Sequence, residues 1–261
     1  MAGLSFQPQA VILDWAGTTV DFGSRAPVQV FIEIFRRRGI QVSEAEARGP
    51  MGSAKRDHIA ALLALPRIAV EWRAAAGHDP TDDDVQSLYQ DFLPLQKETL
   101  ARCGSDVIPG IPRAIAHLRC QGMKIGSTTG YTRELMEVVA PLAARDGYEP
   151  DVIVCSDEVR AGRPAPWMNL EAAKRLGVES MGAVIVVDDT PVGIRAGRNA
   201  GAVAVGISQT GNELGLSPES LTVLPQTELN RRLNEAACRL YDAGAELVIR
   251  SVAELPEVLL G

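Results

Sequence analysis

Five short apolar, β-branched runs recur along this chain, each followed by a stretch of helical pattern: AVILDW at 10–15, MKIGST at 123–128, DVIVCS at 151–156, AVIVV at 183–187 and AVAVGI at 202–207. Parallel strands must be joined by crossovers, and the crossing helices cover the sheet faces, which is why such strands read as continuous apolar runs. The alternation therefore predicts an α/β fold with a doubly wound parallel sheet. A sixth candidate strand, AELVI at 245–249, precedes a C-terminal helical stretch. In open sheets of this kind ligands bind beyond the carboxyl ends of the strands.

The spacing of the runs is uneven, with about a hundred residues between the first and the second. The stretch from 21 to 105 reads as helical. VFIEIFRRRG closes on Gly39, Ser43 with Glu46 fits a capping box, and Thr81 before three aspartates fits a helix start. Val85, Leu88, Phe92 and Leu95 then recur at helical spacing and give one apolar face, with Pro94 placed to kink it. The expected organisation is a core made of residues 1–20 and 106–261, with a small helical cap, 21–105, inserted into it.

Composition narrows the function. A formal net charge of -7 leaves no basic footprint for nucleic acid or an anionic membrane. No apolar run approaches the length that spans a bilayer, and MAGLSFQPQA has neither the basic start nor the apolar stretch of a signal peptide. A soluble, cytoplasmic protein acting on a small molecule is expected. Cys103, Cys120, Cys155 and Cys238 form no CxxC and are expected to be reduced structural thiols. His58, His78 and His117 lack ligand spacing, so a metal here should sit on carboxylates.

The residues that can carry such chemistry cluster at predicted strand ends. Asp14 ends the first run, just before a glycine-containing turn. It is a candidate nucleophile or metal ligand, or simply a side chain that caps the turn. Thr128, Thr129 and Gly130 offer hydroxyl and N–H donors for phosphoryl oxygens, although a threonine could equally cap the helix beginning near Arg133. Arg163, held between Gly162 and Pro164, can serve a phosphoryl group or be a solvated loop residue. Asp188 and Asp189 end an apolar strand, where adjacent carboxylates repel unless a hard cation or hydrogen-bond donors offset them.

Taken in order, a strand-end Asp, a Ser/Thr, a basic residue and an acidic pair resemble the haloacid-dehalogenase-like superfamily, in its helical-cap branch. The Asp-x-Asp common in members that cleave phosphate esters is absent, because Ala16 stands where the second acid would protonate the leaving oxygen. DWAGTTVDFG, PMGSAKRDH, GSTTGYT and AGRPAPWM together are similar to the phosphonoacetaldehyde hydrolase family, over nearly the whole chain. Alone, Lys55 would read as a surface lysine. The resemblance makes it the Schiff-base lysine, with Asp14 as nucleophile, His58 for proton transfer, and Thr129, Gly130, Arg163 and Met51 around the substrate. It also implies Mg²⁺ on Asp14, the Ala16 backbone oxygen and Asp189.

One departure concerns the metal motif, which resembles GDTxxD in that family. This chain has Asp188 in place of the glycine and Gly193 in place of the later acid, so Asp188 is a candidate to supply the missing carboxylate. The implied reaction splits phosphonoacetaldehyde into acetaldehyde and phosphate through a lysine imine and an aspartyl phosphate. A haloacid dehalogenase or a phosphate-ester hydrolase of the same superfamily is the alternative. The family also implies a homodimer formed through the caps, for which the apolar positions near 28–35 would be suited.

Overall fold

A computed structural model describes residues 8–260; the first seven residues of the N-terminal stretch discussed above lie outside the described residues. Six parallel strands form one sheet: β1 Ala10–Leu13, β2 Lys124–Thr129, β3 Val152–Cys155, β4 Val184–Asp188, β5 Val203–Ile207 and β6 Leu247–Ile249. Their order is β3-β2-β1-β4-β5-β6. All six predicted strands are present, within a residue or two of the predicted ends. Since β1 is flanked by β2 on one side and β4 on the other, the chain reverses its direction of winding at β1. That is where a doubly wound sheet opens a crevice.

The helices are α1 Arg25–Arg36, α2 Glu44–Arg48, α3 Lys55–Leu63, α4 Pro66–Ala76, α5 Asp82–Arg102, α6 Ile111–Cys120, α7 Arg133–Arg145, α8 Trp167–Arg175, α9 Pro191–Ala200, α10 Pro218–Val223, α11 Gln226–Asp242 and α12 Leu255–Leu260. Alternation along the strands sends successive side chains to opposite faces. Val11, Leu13, Ile185 and Val187 pack with α6, α7 and α12 on one face, whereas Ala10, Ile12, Val184 and Val186 meet α8 on the other. Both faces are covered, as the apolar runs require.

Helices α1 to α5 all lie between β1 and β2 and share an apolar cluster of their own, built on Phe31, Ile34, Phe35, Ile59, Leu62, Trp72, Leu88 and Phe92. Both predicted helix starts carry reciprocal capping boxes, Ser43 with Glu46 and Thr81 with Asp84. On α5 the predicted face is buried at Val85, Leu88 and Phe92 and half-buried at Leu95, and the helix runs through Pro94 to Arg102. The stems of the insert meet backbone to backbone: Asp21 N–H donates to Asp106 O at 3.1 Å and Ile108 N–H to Thr19 O at 2.9 Å, around an antiparallel bridge between Val20 and Val107.

Two expectations change. The apolar positions of α1 offered for a dimer face, Val28, Val30, Phe31, Ile34 and Phe35, are buried inside the insert's own core, which leaves only half-buried Ile32 beside it. The helix needed its apolar stripe to join its own bundle. All four cysteines are free, but only Cys155 is packed as a small hydrophobe; Cys103, Cys120 and Cys238 are exposed at helix ends or faces. No helix among the described residues is long and apolar enough to cross a membrane.

Candidate active site

The site is assembled by register. Leu13 of β1 pairs with Ser127 of β2 and with Val187 of β4, so the residues that follow, Asp14, Thr128 and Asp188, come level at the carboxyl edge. Asp14, Asp188 and Asp189 are buried there, and one oxygen from each lies within 4.8 Å of the others. The side chain of Arg163 reaches across from the passage before α8. Its Nη2 is 2.6 Å from Asp14 Oδ1 and donates to Thr128 Oγ1 at 2.9 Å; its Nη1 is 3.2 Å from Asp188 Oδ2. A buried guanidinium spanning two carboxylates is not a solvated loop arginine.

Burial pushes the carboxyl groups of Asp188 and Asp189 up, and Asp14 adds repulsion to both; Arg163 opposes this at Asp188. Three buried carboxylates face one arginine, which leaves an excess of negative charge in a low-dielectric site. A hard divalent cation fits such an oxygen set and would offset it. Asp189 is further held by Thr18 Oγ1, which donates to its Oδ1 at 3.1 Å, and by Asn212 N–H, which donates to its Oδ2 at 2.7 Å. Asp188 Oδ1 accepts from Thr190 N–H and from its hydroxyl. A Cβ at Gly193 would overlap the Asp188 carboxylate, so the glycine at 193 is what leaves room for the acid at 188.

From the insert, α3 brings Lys55 to the same crevice. Lys55 is only 4% exposed, and its Nζ lies 4.9 Å from the ring centre of Tyr131 and 5.6 Å from that of Phe31. Burial lowers its pKa from 10.5 to about 8, with Asp14 acting in the opposite direction and Arg163 adding to the fall. His58 is one turn further along α3. Its Nε2 bonds Ala47 O at 2.9 Å and its ring stacks on Phe31, while Nδ1 has no partner among the described residues. A carbonyl can only accept, so Nε2 carries the proton and Nδ1 keeps its lone pair. Burial and the neighbouring Lys55 hold this imidazole neutral, well below the usual histidine range.

Asp14, Ala16, Met51, Lys55, Thr129, Gly130 and Arg163 all line one cavity of about 290 Å³ of empty space. The sequence reading thus named residues that the fold brings together, with His58, Asp188 and Asp189 beside them. It did not name Ser24, Pro27, Gly52, Tyr131 or Thr190, which line the same cavity. Thr18 and Tyr131 belong to the DWAGTTVDFG and GSTTGYT segments and Thr190 follows the acidic pair, so their positions were readable, whereas nothing in the sequence pointed to Asn212. Thr129 does not cap α7: its Oγ1 accepts from Tyr131 N–H, and the first amide of α7, Arg133 N–H, donates to Asp157.

The chain matches the family described as haloacid dehalogenase-like hydrolase over residues 8–201. It is 45% identical over 251 residues to a phosphonoacetaldehyde hydrolase of Syntrophobacter fumaroxidans, covering 96% of this chain and 90% of the relative. The chain belongs to the phosphonoacetaldehyde hydrolase family of haloacid dehalogenase-like hydrolases. A second member of the same name, from Bacillus cereus, is 46% identical, with 96% of this chain and 95% of that one covered. Among solved structures, a phosphonoacetaldehyde hydrolase-like protein of Oleispira antarctica superposes with a TM-score of 0.94 at 41% identity, over 99% of this chain and 95% of its own. A β-phosphoglucomutase-type structure from Bacteroides vulgatus, at 21% identity and a TM-score of 0.67, shares the fold. In this chain the insert between β1 and β2 carries α3, which brings Lys55 into one cavity with Asp14.

Proposed function

We propose that this protein hydrolyses the carbon–phosphorus bond of phosphonoacetaldehyde, giving acetaldehyde and phosphate, with Lys55 and Asp14 as the two residues that form covalent bonds. The observation that carries the reading is a buried lysine amine, its pKa lowered to about 8, in the same cavity as a strand-end aspartate followed two residues on by Ala16 rather than by an acid. A C–P bond needs an acceptor for its electrons, and an iminium on Lys55 is one. Relatives named for that activity support it. A haloacid dehalogenase or a phosphate-ester hydrolase would have no use for this amine.

In this reading the neutral Lys55 amine attacks the aldehyde and water leaves as the imine forms, with His58 Nδ1 moving the proton. Asp14 then attacks phosphorus; the C–P pair flows into the iminium, which becomes an enamine, and an aspartyl phosphate remains. Water cleaves that acyl phosphate. The enamine takes up a proton, and hydrolysis of the iminium releases acetaldehyde and Lys55. Arg163, Thr129 and the Gly130 N–H hold the phosphoryl oxygens, and Met51 helps to exclude water. Mg²⁺ bound by Asp14, the Ala16 backbone oxygen and Asp189, with Asp188 beside them, would lessen repulsion between carboxylate and phosphonate. The proposal includes a cap of residues 21–105 on a core of 1–20 and 106–261, a cytoplasmic location, and a homodimer whose contact must use a surface other than the buried stripe of α1.

The test is release of inorganic phosphate from phosphonoacetaldehyde, with Mg²⁺ and with a chelator. Metal-dependent release of phosphate together with acetaldehyde is expected. Halide release from a haloacid, or phosphate release only from phosphate monoesters, would overturn the assignment.

A further inference from the structure

Outside the cavity, one half-buried side chain of the insert reaches across to the loop after β5. Arg48, the last residue of α2, donates from Nη1 to Gly23 O at 2.8 Å and to Asn212 Oδ1 at 3.2 Å, and from Nη2 to Gly215 O at 3.0 Å. Nη2 also meets Glu44, whose side chain is 62% exposed, so that contact is screened and secondary. The receiving loop, 208–217, is shaped for the guanidinium: Gly215 has φ +68°, and a Cβ there would stand 2.6 Å from Arg48 Cζ.

The contact is reciprocal and leads to both halves of the site. Asn212, 3% exposed, returns a hydrogen bond from Nδ2 to Arg48 O at 3.3 Å, and its own N–H is the one that donates to Asp189 Oδ2. Arg48 O also accepts from Met51 N–H at 3.1 Å, opening the turn that runs through Met51 and Gly52 to Lys55. The third partner, Gly23, lies in the stem of the insert and donates its N–H to Thr210 O at 2.7 Å. One guanidinium therefore ties together the lysine-bearing segment, the stem, and the loop that holds Asp189. Neither Arg48 nor Asn212 lines the cavity.

We propose that Arg48 and Asn212 are positioning residues that form a latch between insert and core, setting the Lys55 segment and the Asp189 carboxylate in one register for the reaction. The latch is made of a few polar contacts over a planar fork, which bind firmly when aligned. It rests on the activity proposed above, because the register matters only if Lys55 and the carboxylates act on one substrate.

The test uses the full-length protein and the variants Arg48→Lys, Arg48→Ala, Asn212→Ala and the double variant Arg48→Ala/Asn212→Ala. Misplacement of reacting groups by about an ångström costs on the order of 100-fold, so Arg48→Ala should lose about that much in kcat, with KM moving far less. Arg48→Lys, which keeps the charge but not the fork, should recover part of the loss. The double variant should be no worse than Arg48→Ala, as expected of two residues in one network. Amide hydrogen exchange without metal or substrate should rise in both 48–55 and 208–217 for Arg48→Ala, and in both again for Asn212→Ala. Additive losses, or faster exchange confined to the mutated segment, would overturn the latch. If Arg48→Ala does not fold, the same comparison of Arg48→Lys with Asn212→Ala decides it. An inactive wild type whose exchange is coupled in this way would defeat the activity and keep the contact.

Discussion

Replacing Lys55 by Arg, and separately varying pH, tests the chemistry at its most distinctive point. A lysine with the ordinary pKa of 10.5 has about 0.03% of its amine neutral at pH 7, and one at about 8 has about 9%, a gain of roughly 300-fold in nucleophile. The gain comes from burial, and it persists although Asp14 and the faces of Phe31 and Tyr131 favour the charged form. Because the folded pKa is lowered, the neutral form grows as pH rises through about 8. Imine formation should therefore speed up about tenfold per pH unit below that point and level off above it. Borohydride added with phosphonoacetaldehyde should trap the imine as a stable secondary amine, with the same pH dependence. Mass spectrometry then locates the adduct among the chain's four lysines. Lys97 is paired with Glu134, Lys174 with Glu171, and Lys124 donates to Leu176 O; none of the three lines the cavity. Lys55→Arg keeps the charge, cannot supply a neutral amine at working pH, and should lose several orders of magnitude in C–P cleavage while folding normally. An adduct on Lys97, Lys124 or Lys174, or an active Lys55→Arg enzyme, would refute the reasoning.

Two further outcomes are expected around the carboxylates. Mg²⁺ should raise the melting temperature of the wild type by mass action; Asp189→Ala should abolish that rise, and Asp188→Ala should weaken it less. Equal Mg²⁺ titrations of wild type and Asp189→Ala would remove Asp189 from the metal set. Gly193→Ala forces a methyl group into the Asp188 carboxylate and should destabilise by about 1–3 kcal/mol as overpacking does, read as a lowered melting temperature. Adding Asp188→Ala should restore much of that loss, and no restoration would show that the two positions do not share one space.

The sheet was legible because fully buried parallel strands leave an unmistakable apolar run, and the capped helix starts at Ser43 and Thr81 because capping is a local signal. The site residues were legible for a different reason. Asp14, Thr129, Arg163 and Asp189 each had an ordinary local explanation, and only their order along the chain, set against a family pattern, brought them together. Taken alone, Lys55 and Arg163 would have read as solvated side chains, and both are buried, because burial is decided by what packs from elsewhere in the sequence. That also hid Asn212, a common polar residue in an unremarked turn, whose role exists only through contact with Asp189 across more than twenty residues. The fate of the α1 stripe was hidden likewise, since an apolar face does not say whether it meets its own bundle or another copy.

The paired stems of the insert bear on how such a chain can fold at all. The entropic cost of closing a loop grows with the logarithm of its length, and β1 and β2 would otherwise be neighbours across about a hundred disordered residues. Once α1 to α5 have gathered their own core and Val20 has met Val107, the sheet closes instead around the much shorter circuit from Leu13 to Val20 and from Val107 through α6 to Lys124. The intervening helices become, for the sheet, almost costless in entropy. Changes of length or sequence within them should then leave the pairing of β1 with β2 nearly untouched, so the part that carries Lys55 is free to diversify while the part that carries Asp14 stays the same.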